Sequence, residues 1–400
     1  MLEFSSDLSI SDDSYEMGAM HDLSVAARRW RQVRRTGAAA PPMDGTAFRA
    51  AMAPMIDAAQ GAIAEHAIVE LPAGRLPWTG TPVVLAPNDQ VTVISVGRIW
   101  LSRALDIWVG PQFQVWGRIG ETGEVFNGTH DAMTVTAKEG GRLYLAGQFP
   151  GQFADRQGRV QPDLGVYEGA VGDITALVIR WNGEPAPGLD AMLAAGDVNG
   201  LIAAERARIA DPHRAPDGWK HLWFLGQSDI FRSSEADGQP CIQCRTSANV
   251  GILQKDVSLP LHPDTELHWD WKLGRLPSAL PEDTAASHDY FSIAVEFENG
   301  RDITYYWSRE LPEGRAYWCP LPTWKDREFH VVQRSGEADL GKWLSEMRHL
   351  YTDYTAYMGE PPARIVRVWL IAVGLFQRLG GAADFRNIYI SGGGDMRRIL

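Results

Sequence analysis

The sequence predicts a mainly β chain: two β-sandwich or jelly-roll domains, with a helical N-terminal segment and a helical connector. Two observations predict it. Short runs rich in valine, isoleucine and aromatics recur over residues 67–182 and again over 215–393, separated by Gly, Pro, Asn and Asp, which is the rhythm of antiparallel sandwiches. Helical periodicity marks the N-terminal 1–66 segment and the 183–214 connector, with one further helix over 340–358 in the second half;. Four hundred residues, 45% hydrophobic, give each half a core that needs neither disulfides nor metals;.

In chain order, Leu23, Ala27, Trp30 and Val33 recur at helical spacing. After the break GAAAPPMDG, Asp44 is placed to cap a second helix carrying Phe48, Met52, Met55, Ala59 and Ile63 on one side;. Eight strand candidates follow, from AIVELPAG to ITALVIRW. The Pro- and Gly-bounded connector then carries Leu189, Met192, Leu193, Leu201, Ile202 and Ile209 at helical intervals. The second half reads as strands from HLWFLG to DFRNIYI, interrupted by one helix over 340–358 with a stripe of Leu340, Trp343, Leu344, Met347, Leu350, Tyr351 and Tyr354;.

Composition excludes several classes of function. A net charge of −12 leaves RRWRQVRR (28–35) as the one basic run, read as a solvated helix face, so neither nucleic acid nor an anionic membrane is an expected partner;. The acidic start lacks the pattern of a secretory signal, and no stretch of about 18 apolar residues follows, so the expected location is cytoplasmic;. Cys241 and Cys244 form a CxxC within a strand, where an offset of three puts the thiols on opposite faces; with Cys319 they read as buried thiols;. Nucleotide-binding, zincin and serine-hydrolase motifs are missing from the sequence;. No cofactor and no metal site is expected, and Glu346, His349 and Asp353 read as a solvated helix face.

Two resemblances add to this. LPWTGTPVVLAPNDQVTVISVGRIW, GRIGETGE and GGRLYLAGQFPGQF make residues 67–182 similar to the small jelly-roll family of soluble bacterial galactose-specific lectins. That implies a shared sandwich. The loop in which those lectins carry calcium ligands here reads Gly147, Gln148, Phe149, Pro150, which implies loss of a calcium-held sugar site.

Residues 215–393 resemble a bacterial β-sandwich domain family of unknown function. The resemblance rests on Trp269 and Trp271, His288 to Tyr290, Tyr305 to Ser308, Arg334 to Gly336, and Gly341 to Tyr354 in that order. Where that family carries two acids before its long strand, this chain has His288 and Asp289.

Candidate chemistry gathers on one hairpin, HDYFSIAVEFENGRDITYYWS (288–308). A two-residue loop at Asn299 and Gly300 would pair Glu296 with Ile303, Ala294 with Tyr305 and Ser292 with Trp307. One face then carries Tyr290, Ser292, Glu296, Tyr305 and Trp307, a carboxylate among rings. The other carries Phe291, Ile293, Val295, Phe297, Thr304 and Tyr306, a core face. Strand alternation also puts His330 and Arg334 on one face, as an acid–base group and an anion clamp would stand. Of the neighbours His288 and Asp289, at most one can act on a single substrate atom. Trp269 and Trp271 read as core, and His268, Asp270 and Lys272 as a polar face.

The resulting expectation is a cofactor-independent acid–base enzyme, a lyase, hydrolase or isomerase/cyclase. Its pocket in the C-terminal sandwich would take a small ring-containing molecule such as a glycoside or polycyclic natural product. Glu296 or His330 would move the proton and Arg334 would hold an oxygen, with His288 or Asp289 at the pocket entrance; Tyr290, Ser292, Tyr305 and Trp307 would bind the ligand. The N-terminal sandwich would shape the pocket or support a homo-oligomer. The alternative is a non-catalytic carbohydrate-binding protein with two lectin-like modules.

Overall fold

A computed structural model describes residues 12–74, 78–127, 130–147, 153–160 and 169–400. The helices are α1 (Asp12–Thr36), α2 (Gly45–Ala58), α3 (Pro111–Gln114), α4 (Pro185–Ala195), α5 (Leu201–Ala210) and α6 (Leu350–Met358). The N-terminal strands are β1 (Ile63–Pro72), β2 (Thr79–Leu85), β3 (Gln90–Ser102), β4 (Ile107–Val109), β5 (Val115–Ile119), β6 (Ala132–Thr136), β7 (Gly141–Gly147) and β8 (Val171–Trp181). The C-terminal strands begin with β9 (Lys220–His221), β10 (Phe231–Ala236), β11 (Gln239–Ser247), β12 (Val250–Pro260), β13 (Glu266–Arg275), β14 (Phe291–Phe297) and β15 (Asp302–Ser308). They end with β16 (Ala316–Trp318), β17 (Glu328–Ser335), β18 (Leu344–His349), β19 (Arg364–Val373), β20 (Gly380–Gly392) and β21 (Asp395–Arg398). The chain is mainly β, with two β-sandwiches, N-terminal helices and connector helices.

The first sandwich packs β1-β8-β3-β4, with β6 also on β3, against β2-β7-β5. Strand alternation turns Val91, Val93, Ile174 and Ala176 toward Leu143 and Leu145, and turns Ile94, Leu177 and Ile179 outward;. That outward face is equally apolar because α2, α4 and α5 cover it with Phe48, Met52, Leu189, Met192 and Ile202. Asp44 caps α2 by accepting from the Ala47 amide at 2.7 Å;. The α2 face does not continue to Ile63, which opens β1 opposite Trp181, because sheet pairing ends the helical stretch there.

The stripe expected on α1 is not its buried face. Leu23 and Trp30 are 70% and 41% exposed, whereas Val25 and Arg29 are buried. Arg29 therefore does not belong to a solvated face. Its guanidinium donates to the carbonyls of Leu105 (3.2 Å) and Phe376 (3.1 Å), tying the helix to both halves of the molecule. The described residues contain no helix long and apolar enough to cross a membrane.

The second sandwich packs the six-stranded sheet β10-β11-β20-β13-β18, with β21 on β20, against the seven-stranded β16-β17-β15-β14-β19-β12-β9. Stacked rings fill the space between them: Trp269 on Tyr305 at 5.8 Å and Trp271 beside Trp307 at 5.5 Å;. Cys241 and Cys244 are buried free thiols on β11. The helix expected over 340–358 forms only from Leu350. Residues 344–349 are a strand pairing with β13, Trp269 opposite Glu346 and Trp271 opposite Leu344, so the strand period decides what is covered. Within that stretch Glu346 is buried and Met347 is exposed.

The hairpin register differs from expectation by one residue. The Phe297 carbonyl accepts from Gly300 N and the Phe297 amide donates to Arg301 O, so the loop has three residues and ends on Gly300 at φ +79°;. Ser292 then pairs with Tyr306, Val295 with Ile303 and Glu296 with Asp302. This slip reverses the faces of β15. Tyr305 and Trp307 join the core, and Asp302, Thr304 and Tyr306 take their place beside Tyr290 and Glu296. Since the left-handed conformation disfavours any Cβ, Gly300→Ala should destabilise the protein by about 1 kcal/mol, read as a lower chemical-denaturation midpoint.

Candidate functional site

The outer face of the seven-stranded sheet is where polar side chains converge. Tyr290 and Ser292 of β14 and its approach, Asp302 and Thr304 of β15, and Glu328 and His330 of β17 are all buried. β15 and β17 run parallel, with Asp302 opposite Glu328 and Thr304 opposite His330. The crossover that parallel pairing requires carries β16, which returns antiparallel to β17 with Tyr317 opposite His330. Cys319 follows β16 and its amide donates to the Glu328 carbonyl at 2.9 Å. Local pairing thus brings His288, Cys319, Glu328 and His330 together, with one donor atom from each lying within 4.8 Å of all the others.

Each group has a defined role in this cluster. The His288 Nδ1–H donates to the Glu282 carbonyl at 2.6 Å, which leaves the Nε2 lone pair facing Cys319 Sγ at 3.4 Å;. Glu328 Oε1 accepts from the hydroxyls of Tyr290 and Thr304, both at 3.2 Å. Glu328 Oε2 lies 3.4 Å from His330 Nε2. Neither ring nitrogen of the fully buried His330 finds a hydrogen-bond partner among the described residues. Its ring is held instead by stacking on Tyr317, 5.3 Å between centroids.

The charges follow from burial and proximity. Burial, then His330, pulls His288 down to about 3, so the imidazole is neutral at physiological pH;. Burial works against ionising Glu328, but the neighbouring His330 ring outweighs it and holds the carboxyl below its usual range. Burial and the Glu328 charge push the Tyr290 hydroxyl, the Cys319 thiol and the Asp302 carboxyl upward. The result is one carboxylate surrounded by groups that keep their protons.

His288 and Glu328 of the cluster line a cavity of about 480 Å³. Leu101, Leu105, Ile107, Val109 and Phe113 of the first sandwich form one wall, and Ile252, Ile371, Val373, Trp324 and Phe376 of the second form the other. His288, Tyr290 and Glu328 are among its polar lining groups, with Ser102 and Thr323. The volume lies within the roughly 300–1,000 Å³ range of small-molecule sites, and the two-domain wall is a usual place for one.

Of the expected site residues, His288, Tyr290 and His330 meet here. Glu296 does not: its carboxylate binds Arg367 at 2.7 Å on the same sheet. Arg334 does not either, because a bulge between Val332 and Arg334 turns it to the opposite face from His330. There it donates to Glu346 at 2.7 Å. Asp289 points away from His288 and accepts the amides of Phe376 and Gln377 at 3.0 and 2.6 Å, which fixes the loop that lines the cavity. Tyr305 and Trp307 are core, with Tyr305 donating to Asp353 at 2.7 Å and Trp307 to the Gly336 carbonyl at 2.8 Å. Ser292 is buried and does not line the cavity.

Sequence reasoning missed Cys319 and Glu328. Glu328 opens the strand that carries His330, and its i, i+2 spacing to that residue was a usable signal. Cys319 reaches them because β16 pairs antiparallel with β17 and its amide donates to the Glu328 carbonyl, a short-strand pairing that the sequence pattern does not mark. The loop of Gln148, Phe149 and Pro150, on which the calcium comparison turned, lies outside the described residues.

Residues 217–389 match the family described as "Protein of unknown function (DUF3047)". No curated protein matches the chain significantly. Among solved structures, an N-terminal domain described as a PllA-like lectin is 15% identical, covering 28% of this chain and 94% of its own at a TM-score of 0.22. The xyloglucanase domain of a type three effector from Sinorhizobium fredii, in complex with cellobiose, is 9% identical, covering 44% and 95% at 0.27. A family 30 carbohydrate-binding module from Clostridium thermocellum is 11% identical, covering 42% and 86% at 0.24. Likenesses of this size decide nothing about chemistry.

Proposed function

We propose that this protein is an acid–base enzyme acting on a small, largely apolar, ring-containing molecule held between the two sandwiches. The observation that carries the reading is the cavity of about 480 Å³, lined mostly by apolar side chains with His288, Tyr290 and Glu328 among them. Apolar walls suit a polycyclic ligand better than a glycoside, whose many hydroxyls would lose water without gaining partners.

Glu328 is the group placed to accept a proton, since its carboxylate stays ionised. Tyr290, which keeps its proton, and Thr304 hold the carboxylate in position by donating to its Oε1;. His288 presents its Nε2 lone pair within the same cluster. Walls with few polar groups leave little to orient a water, so proton transfer within the bound molecule, an elimination or isomerisation, fits better than hydrolysis.

Binding of 2-naphthol, an aromatic ring system with one hydroxyl, tests the cavity without a known substrate. Saturable binding by the wild type is expected, weakened at least tenfold in Ala286→Phe, which places a ring in the cavity wall. Unchanged binding in that variant would remove the cavity from the account.

A further inference from the structure

We infer that His288, Cys319, Glu328 and His330 form a binding site for a divalent d-block cation of the zinc type, beside the cavity that His288 and Glu328 line. The inference rests on the reading of that part of the cavity lining as the reactive one and adds a cofactor to it; with an ion bound, Glu328 would serve as its ligand and not as a free base.

The donor set suits such an ion. A thiol, two imidazoles and a carboxylate are the side chains that bind zinc, and a tetrahedral ion with bonds of about 2.0–2.3 Å keeps its ligand atoms roughly 3.3–3.8 Å apart. Two pairs already stand at that separation: His288 Nε2 to Cys319 Sγ and His330 Nε2 to Glu328 Oε2, both 3.4 Å. All four donors lie within 4.8 Å of one another, so small side-chain movements would close the set.

A second observation is independent of the clustering. His330 is fully buried, and its Nε2 makes no hydrogen bond among the described residues beyond a long contact of 3.4 Å with Glu328 Oε2, which leaves its lone pair available to an ion;. Nε2 faces Glu328, toward the centre of the cluster.

The surrounding bonds also follow the pattern of metal sites. A ligating histidine donates its other N–H to a carbonyl or carboxylate, and a ligating carboxylate is itself hydrogen-bonded. His288 donates Nδ1–H to the Glu282 carbonyl, and Glu328 accepts from Tyr290 and Thr304 through Oε1, leaving Oε2 for an ion. Binding would release the Cys319 proton to solvent, leaving a thiolate on the ion, so affinity should rise with pH. His288 and Glu328 line the cavity, whereas Cys319 and His330 stand behind them, so a ligand in the cavity would reach the ion from the side of His288 and Glu328.

The test loads the full chain with zinc sulfate, removes excess by gel filtration and counts metal by mass spectrometry, with Co(II) as a spectroscopic substitute. Near one ion per chain is expected, with a thiolate-to-cobalt charge-transfer band. Cys319→Ser should remove the band, and both it and His330→Gln should weaken zinc binding at least tenfold, with circular dichroism confirming the fold. No bound ion in folded wild type, or an undiminished band in Cys319→Ser, would overturn the inference. 2-Naphthol binding to the chelated protein separates the two readings. Binding of naphthol but no metal defeats this inference alone, whereas a bound metal with no naphthol upholds it as a structural site and defeats the proposed function.

Discussion

Glu328→Gln is expected to lower turnover by about 10²–10⁴-fold, the range for loss of a positioned acid–base group, while affinity for an aromatic ligand stays within a few-fold. The amide oxygen can still accept from Tyr290 and Thr304 as Oε1 does now, so the fold should survive; what disappears is the one carboxylate among the cavity's lining groups. Glu296→Gln is the control, because Glu296 is bound to Arg367 and does not line the cavity. Its turnover should match wild type. Comparable losses in both variants would show that the chemistry does not reside at Glu328.

The second large effect concerns stability. Glu346 is buried and accepts from Trp271 Nε1 at 3.1 Å, Gln333 Nε2 at 2.7 Å and Arg334 Nε at 2.7 Å, joining the two sheets of the C-terminal sandwich. Glu346→Ala leaves a buried indole N–H and a half-buried guanidinium without their acceptor. A loss of about 3–5 kcal/mol is the usual consequence of removing one partner from a buried pair. Arg334 is partly exposed and can recover water, so the lower end, about 3 kcal/mol, is expected. Denaturant unfolding measures it, and 2-naphthol binding to the folded fraction should be unchanged. Arg334 is in this way a structural residue, not an anion clamp.

The fold was largely legible in the sequence because two periodicities, 2 and 3.6, mark different stretches of the chain. Asp44 and the Phe48, Met52, Met55 face of α2 stand where the pattern puts them. Legibility failed where tertiary pairing overrode local pattern. Leu344 to His349 has helical spacing but pairs with β13, and a three-residue loop in place of a two-residue one moved Tyr305 and Trp307 from the imagined site into the core. A single bulge after Val332 likewise separated Arg334 from His330.

The site was half legible for the same reason. His288, Tyr290 and His330 belong to strands or strand entrances that alternation could read. Glu328 shares β17 with His330, whereas Cys319 joins them through the antiparallel pairing of β16 with β17, and His288 meets them only because β15 pairs in parallel with β17. The apolar wall contributed by Leu105 and Phe113 depends on how the first sandwich meets the second, which no local pattern encodes. Arg29, read from composition as one of a solvated run, is what ties Leu105 to Phe376 across that junction.

The most direct test of the central claim is a crystallographic soak of the full chain with small aromatic fragments carrying one hydroxyl or carbonyl. The account predicts fragments seated between Phe113 and Ile371, with their oxygen toward Tyr290 and Glu328. Fragments bound elsewhere, for example in the groove lined by His268, Asp270 and Tyr389, with the cavity left unoccupied, would contradict it.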